Sequence, residues 1–201
     1  MATPLWTPDR HRASGTNLQA FAEAVGVPPA DLHRWSIDRP DAFWRAAWNH
    51  LGVVGDPGST AATGLGTGDL LEARFFPEAR LNVAETMLGT CDDRPAVHFQ
   101  GEDPTVPGGR RDLTRADLHA LVSRIQQGLL AAGVEPGDRV AAWLPNVPEA
   151  YAVMLAAASI GAVFSSTSPD FGTDGVLDRF GQIRPAVLFA IDGYRYGGRR
   201  H

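Results

Sequence analysis

The sequence predicts an α/β fold, with a helical N-terminal cap followed by the start of a mostly parallel open sheet that is flanked by helices. Apolar runs alternate with single helical segments from residue 139 to residue 191. Because a parallel neighbour is reached only through a crossover, this alternation is typical of a parallel sheet. The region before residue 90 instead carries helix start signals and clustered aromatic residues. With 201 residues and 44% hydrophobic content, the chain can bury a core.

Two helices are predicted near the N-terminus. Thr16, with Gln19 three positions later, gives a capping-box signal for a helix through Val25. A second helix follows Pro40, and its apolar residues form an aromatic face before Gly52. Four of the five tryptophans precede residue 50. We interpret them as a packed hydrophobic cap and not as a platform for stacking bases, since basic residues interleave only sparsely.

Residues 52–69 are predicted to form a surface loop. The segment is rich in Gly and Thr and has no apolar period. Its composition imitates a phosphate-binding loop, but no strand precedes it and no lysine follows it. The next segment, residues 73–89, indicates an extended stretch and then a helix with Asn82 as its N-cap.

The middle of the chain indicates a strand at residues 96–99, a long turn at 101–112 and a helix that Thr114 caps and Gly133 ends. The apolar positions of this helix follow a helical spacing, and they are Leu118, Leu121, Val122, Ile125 and Leu129. Packing against a core explains this stripe without any functional role.

The alternating region is divided into three strands and two helices. In chain order these are a strand at residues 139–144, a helix at 149–160, a strand at 162–166, a helix at 174–184 and a strand at 186–191. We expect Thr173 or Ser168 to cap the second helix. The loops that follow parallel strands meet at one sheet edge, which is where ligands bind in open α/β folds.

Composition and motifs exclude several function classes. The net charge of −5, without a basic stripe, argues against a nucleic-acid partner. Cys91 is the single cysteine, so no intrachain disulfide is expected and a reducing cytoplasm fits best. The N-terminus lacks the apolar core of a signal peptide, and the longest apolar run, residues 150–164, is too short to span a membrane. A nicotinamide-binding Rossmann domain is excluded because the turn at residues 145–149 has no glycine.

Two of the converging loops are candidates for ligand binding. The first is SSTSPDFG at residues 165–172, and the second is GYRYGGRRH at residues 193–201. From the residues alone, the hydroxyl groups of the first loop could hold an anion or could simply form the entrance of the next helix. Arg195, in the second loop, is by itself a surface charge.

Five blocks resemble, in family order, those of acetoacetyl-CoA synthetases, which belong to the adenylate-forming ligase superfamily. They are LWTPD at residues 5–9, LHRWSIDRPDAFW at 32–44, FFPEARLNVAETML at 75–88, SIGAVFSSTSPDFG at 159–172 and DGYRYGGRR at 192–200. The SSTSPDFG block is the most specific, since acetyl-CoA synthetases carry a Gly-rich loop there. The resemblance divides the chain into an N-terminal helical cap region, residues 1–90, and the beginning of an AMP-binding domain, residues 91–201.

The resemblance implies an acid-thiol ligase that joins acetoacetate to coenzyme A through an acyl-adenylate. The complete enzyme would use ATP, Mg²⁺ and coenzyme A. By similarity, the loop residues Ser168, Pro169, Asp170 and Phe171 lie where coenzyme A is approached, and Arg195 contacts its nucleotide phosphate. The extra residue at 196–198 makes Arg199 a second candidate. No catalytic residue and no metal ligand of the family can be matched to a position here.

The chain contains no lysine, and all 18 of its basic residues other than histidine are arginine. Ligases of this family need lysines at two steps, so the sequence is expected to be the N-terminal part of such an enzyme and to be inactive alone. Two alternatives are a part of an acetyl- or propionyl-CoA synthetase-like ligase and a non-catalytic binding or assembly module. Self-association through an exposed sheet edge is a further expectation.

Overall fold

The computed structural model describes residues 5–65 and 69–201 and divides the chain into two compact units, Met1–Leu81 and Asn82–His201.

Short helices make up most of the first unit. They are α1 (Arg10–Ser14), α2 (Asn17–Val25), α3 (Leu32–Asp38) and α4 (Pro40–His50), with a 3₁₀ turn at Pro29–Asp31. As predicted, the Thr16 hydroxyl accepts a hydrogen bond from the Gln19 amide at 3.2 Å, and Gly26 ends α2 in a left-handed conformation. The sequence patterns did not reveal α1 and α3, because neither is long enough to display a helical period.

Aromatic side chains form the interior of this helical unit. Phe21, Trp35 and Phe43 meet at ring-centroid distances of 5.6 to 6.4 Å, two of the three pairs edge to face. Trp48 is buried and contacts Phe76 at 4.7 Å. Trp35 and Trp48 therefore pack as the packed-cap interpretation expects, and Trp44, although 38% exposed, contacts the rings of Phe43 and Phe75. Trp6 differs, because it is 65% exposed and contacts the guanidinium of Arg12.

The predicted surface loop is largely irregular, although residues 66–68 lie outside the described residues. It contains a two-residue strand, β1 (Ala62–Thr63), which pairs antiparallel with β2 (Arg74–Phe75). A 3₁₀ turn at Leu70–Glu72 precedes β2. The carboxylate of Asp41 accepts hydrogen bonds from the amides of Ala61 and Ala62 at 2.7 and 3.2 Å, and these bonds lower the pKa of Asp41. Side chains thus supply hydrogen-bond partners to backbone groups of this loop, which has little regular structure of its own.

The second unit begins with α5 (Val83–Leu88) and an antiparallel pair, β3 (Pro95–Gln100) and β4 (Arg110–Thr114), followed by α6 (Arg115–Ala131). The prediction of a turn through residue 112 was wrong, since the turn ends at Gly109. The polar run at the start of β4 lacks an apolar pattern and becomes a strand because β3 supplies its hydrogen-bond partners. Thr114 caps α6 in a capping box with Asp117.

Three parallel strands and two helices complete the unit. They are β5 (Arg139–Trp143), α7 (Pro148–Ser159), β6 (Val163–Thr167), α8 (Thr173–Ile183) and β7 (Val187–Ala190). The strand order is β6–β5–β7, and both pairings are parallel. The predicted α/β fold class is confirmed. The cap prediction for α8 was wrong, because Gly172 precedes the helix and no side chain caps it.

The core lies on both faces of β5. Val140 faces α6 and α7, whereas Ala141 faces α8, where it packs against Val176 and Phe180. The five stripe residues of α6 are buried or partly buried in this core. The larger cluster also includes fully buried residues of α7, namely Ala152, Leu155, Ala156 and Ala157.

Replacing Leu155 by alanine should lower the free energy of unfolding by about 2–5 kcal/mol, because the side chain is fully buried and its removal leaves a cavity. Leu177→Ala is the matched control, since Leu177 is 65% exposed on α8, and it should change the value by less than about 0.5 kcal/mol. Urea denaturation measures both. Equal losses in the two variants would contradict this assignment of the core.

Candidate ligand-binding groove

A groove of about 870 Å³ opens where the three parallel strands end. Its lining comes from residues 99–103, 106–109, 145–147, 168–170 and 193–196, together with Arg111, Ile191 and Arg200. Three of these segments directly follow β5, β6 and β7. The groove therefore lies at the carboxyl edge of the sheet, as the strand–helix alternation predicts.

The last residues form a hairpin that borders the groove. The prediction of a plain loop at residues 193–201 was wrong, since β8 (Arg195–Tyr196) pairs antiparallel with β9 (Arg199–Arg200). Gly197 and Gly198 form the turn, with φ values of 60° and 72°. Two consecutive positive φ angles are what a tight hairpin turn of this kind requires, and glycine adopts them without strain.

Four of the five predicted site residues line the groove. These are Ser168, Pro169, Asp170 and Arg195. The Ser168 hydroxyl donates to Asp170 Oδ2 at 2.8 Å, which makes the loop after β6 a compact polar turn.

The fifth predicted residue, Phe171, lies outside the lining, and so does Arg199, the second candidate for the phosphate contact. Phe171 is 42% exposed, and the guanidinium of Arg179 lies 4.1 Å from its ring centroid. Arg199 is on the exposed hairpin, whereas its neighbour Arg200 lines the groove. Ligand binding by these residues stays a prediction.

Sequence reasoning missed Tyr194. Its hydroxyl donates to Asp170 Oδ1 at 3.2 Å and so links the hairpin segment to the loop after β6. Reduced solvation, and then the hydrogen bond to Asp170, raises the pKa of Tyr194 above its ordinary value. The available signal was its position in the DGYRYGGRR block, directly before Arg195.

Two acidic residues of the long turn were also missed. Glu102 accepts hydrogen bonds from the amides of Gly197 and Gly198 at 2.8 and 3.1 Å. Asp103 Oδ2 lies 3.8 Å from Arg195 Nη1. Hydrogen bonds from Thr105, and then the charge of Arg195, lower the pKa of Asp103. No sequence signal marks these contacts, because the partners are far apart in the chain.

An ion pair joins β4 to the first turn of α7 beside the groove. Both terminal nitrogens of Arg111 donate to the carboxylate of Glu149, one of them at 2.8 Å. This bidentate bond raises the pKa of Arg111 and lowers that of Glu149. The Arg111 guanidinium also lies 5.2 Å from the ring centroid of Phe99. Its Nε is buried and has no hydrogen-bond partner among the described residues.

Residues 5–65 and 69–201 lack two features, a metal-binding cluster and a membrane-spanning helix. No group of three or more His, Cys, Asp or Glu side chains in these ranges is arranged to hold a metal ion. No helix in the same ranges has both the length and the apolar character needed to cross a membrane.

The chain belongs to the AMP-binding enzyme family, whose model matches residues 84–199. Its relatives include the acetoacetyl-CoA synthetase of Rhizobium meliloti (strain 1021), which is 49% identical over 205 residues. That alignment covers 98% of this chain and 30% of the relative. A malonamoyl-CoA synthetase of Penicillium aethiopicum is 36% identical over 212 residues, with 98% and 28% covered.

A solved structure from the same group of proteins is also similar to this chain. The acetoacetyl-CoA synthetase from Streptomyces lividans matches with a TM-score of 0.85 and 40% identity, covering 100% of this chain and 32% of that one. The resemblance to acetoacetyl-CoA synthetases is confirmed. The chain spans about 30% of the length of the relatives that it matches.

Replacing Glu149 by glutamine should lower the free energy of unfolding by about 1 kcal/mol near neutral pH, since the bidentate bond to Arg111 is partly exposed. The pKa of Glu149 is depressed on folding, so its contribution is complete above the ordinary value of 4.5 and is lost as the pH falls through the folded-state value. Urea denaturation across this acid range should show the wild-type advantage shrinking.

The matched control for this variant is Glu135→Gln, which removes an exposed carboxylate from the turn before β5. This control should leave the free energy of unfolding within about 0.5 kcal/mol of the wild-type value near neutral pH. An advantage of wild type over Glu149→Gln that persists unchanged into strong acid would exclude the carboxylate as its source.

Proposed function

We propose that this chain is the N-terminal part of an acetoacetate:CoA ligase, an enzyme that forms acetoacetyl-CoA with ATP through an acyl-adenylate. The observation that carries the proposal is the 49% identity to an acetoacetyl-CoA synthetase over 98% of this chain. Residues 1–90 correspond to the helical cap region of such a ligase, and residues 91–201 to the beginning of its AMP-binding domain. Cys91, an exposed and unpaired thiol, suits the proposed location in a reducing cytoplasm.

Coenzyme A is the ligand proposed for the groove. Arg195 has the planar fork that binds a phosphate through two parallel hydrogen bonds, and its side chain is 48% exposed at the groove. Ser168, Pro169 and Asp170 add a polar turn to the same lining. Phe171 would contact the ligand from outside the present lining. A groove lined by both a cationic residue and a polar turn fits a ligand with a phosphate at one end and a polar chain at the other.

ATP and Mg²⁺ are proposed only for the complete ligase. None of the family's ATP-gripping residues can be matched to a position in this sequence, and the described residues offer no metal-binding cluster. Negative charge builds up at the transferring groups in both steps and must be offset by fixed cations. Because the chain contains no lysine, this polypeptide alone is proposed not to catalyse.

A ligase for a related short acid is the second candidate. It is favoured by the 36% identity to a malonamoyl-CoA synthetase. Malonamate, like acetoacetate, carries a second carbonyl at the same distance from its carboxylate, so the two acids place similar demands on an acyl pocket. An acetyl- or propionyl-CoA synthetase-like ligase and a non-catalytic module remain further alternatives, and the exposed strand edges would let a module associate with itself.

Replacing Arg195 by alanine should weaken the binding of coenzyme A roughly tenfold, since a charge-assisted hydrogen bond to phosphate is lost. Dephospho-CoA, which lacks the phosphate on the nucleotide ribose, should bind wild type and variant alike. Isothermal titration calorimetry measures both ligands.

Arg124→Ala is the matched control, because it removes an exposed arginine of α6 that lies outside the groove. It should leave both affinities unchanged. An equal loss of coenzyme A and dephospho-CoA affinity in Arg195→Ala would argue against the phosphate contact.

An ATP–pyrophosphate exchange assay with acetoacetate should give only the buffer rate for the isolated chain. A chimera in which this chain replaces the aligned segment of the Rhizobium meliloti relative should exchange pyrophosphate with acetoacetate. Activity of the isolated chain would refute the lysine argument. A folded chimera that prefers malonamate or acetate would favour the alternative ligases, and an inactive one would favour the non-catalytic module.

A further inference from the structure

The hairpin of β8 and β9 is short, and Tyr194 and His201 extend it by one residue pair through two backbone hydrogen bonds and stacked rings. Its strands pair through two residue pairs, and all four strand residues are exposed. Arg195 and Arg200 also face each other across the pair, and like charges in that arrangement repel. Because an isolated two-stranded hairpin is marginal in water, the position of this one depends on contacts with other segments.

Glu102 provides the most direct of these contacts. Its two carboxylate oxygens accept one hydrogen bond each, from Gly197 at 2.8 Å and from Gly198 at 3.1 Å. The positive φ angles of both glycines turn these consecutive amides towards the same acceptor. Hydrogen bonds to an ionised acceptor are about twice as strong as neutral ones, so Glu102 fixes the tip of the hairpin to the loop between β3 and β4.

The same loop also sets the direction of the arginine in β8. Asp103 follows Glu102 directly, and its carboxylate lies 3.8 Å from Arg195 Nη1. That separation is long for an ion pair, so the charge orients the guanidinium without occupying its donors fully. Arg195 keeps a side chain that is 48% exposed and lines the groove.

We propose that Glu102 is a positioning residue, which docks the hairpin tip so that Arg195 faces the groove and can contact a phosphate-bearing ligand. The identity of that ligand, coenzyme A, rests on the proposed function, whereas the docking itself does not. The alternative is that the Glu102 carboxylate competes with a ligand phosphate for the amides of Gly197 and Gly198. When the Glu102 carboxylate is removed, docking predicts weaker binding of the ligand, whereas competition predicts tighter binding.

The docking is tested without any ligand by amide hydrogen exchange at Gly197 and Gly198, measured by NMR on the whole chain. In Glu102→Ala both amides should exchange several-fold faster than in wild type. Glu102→Gln, which keeps an acceptor oxygen, should restore part of the protection. The matched control is Glu135→Ala, which removes one exposed carboxylate from the turn before β5, at the opposite edge of the sheet. Its exchange rates at the two glycines should match those of wild type.

The effect on ligand binding is tested with coenzyme A and dephospho-CoA by calorimetry. Glu102→Ala should weaken coenzyme A about threefold or more and leave dephospho-CoA unchanged, and Glu102→Gln should recover part of the loss. The double variant Glu102→Ala/Arg195→Ala should bind no more weakly than Arg195→Ala, because Glu102 acts through Arg195.

Several results would overturn the proposal. Tighter binding of coenzyme A by Glu102→Ala would establish competition, and unchanged exchange at both glycines would exclude docking. Additive losses in the double variant would show that Glu102 acts independently of Arg195. If wild type fails to bind coenzyme A while Glu102→Ala still speeds exchange, the proposed ligand is wrong and the docking by Glu102 stands.

Discussion

The burial of β5 between two layers of helices is the constraint on which the second unit depends. Val140, Ala141 and Ala142 are fully buried, and β5 pairs with a neighbour on each side. A strand with both faces and both edges covered must be apolar where it is buried, and β5 is apolar from Val140 to Trp143. Its register with β6 and β7 sets where each strand ends, so the loops that line the groove inherit their positions from it.

Small residues make this arrangement possible. Ala141 and Ala142 leave room on the two faces of the sheet, and the larger side chains come from the helices, such as Phe180 on α8. On the other face, Leu155 of α7 and Leu129 of α6 are buried almost completely. The core is therefore assembled from complementary sizes, as the density of protein interiors requires.

The groove, by contrast, is held by polar contacts at the surface. Arg111 and Glu149 join β4 to α7, while Glu102 and Tyr194 join the hairpin to two other loops. Such contacts are weak singly and directional, so they fix orientation more than they add stability. Polar walls of this kind stay hydrated, which suits the polar ligand proposed for the groove.

The sequence by itself determined the α/β class, the order of β5, α7, β6, α8 and β7, and the edge of the sheet at which the groove lies. These features follow from local periodicity and from the rule that parallel strands need crossovers. It also determined the capping of α6 by Thr114. Only the tertiary structure decided that residues 110–114 form a strand, that residues 195–200 form a hairpin, and that Glu102 and Asp103 contact this hairpin. Each of those features depends on a partner far away in the chain, and no local pattern encodes a distant partner.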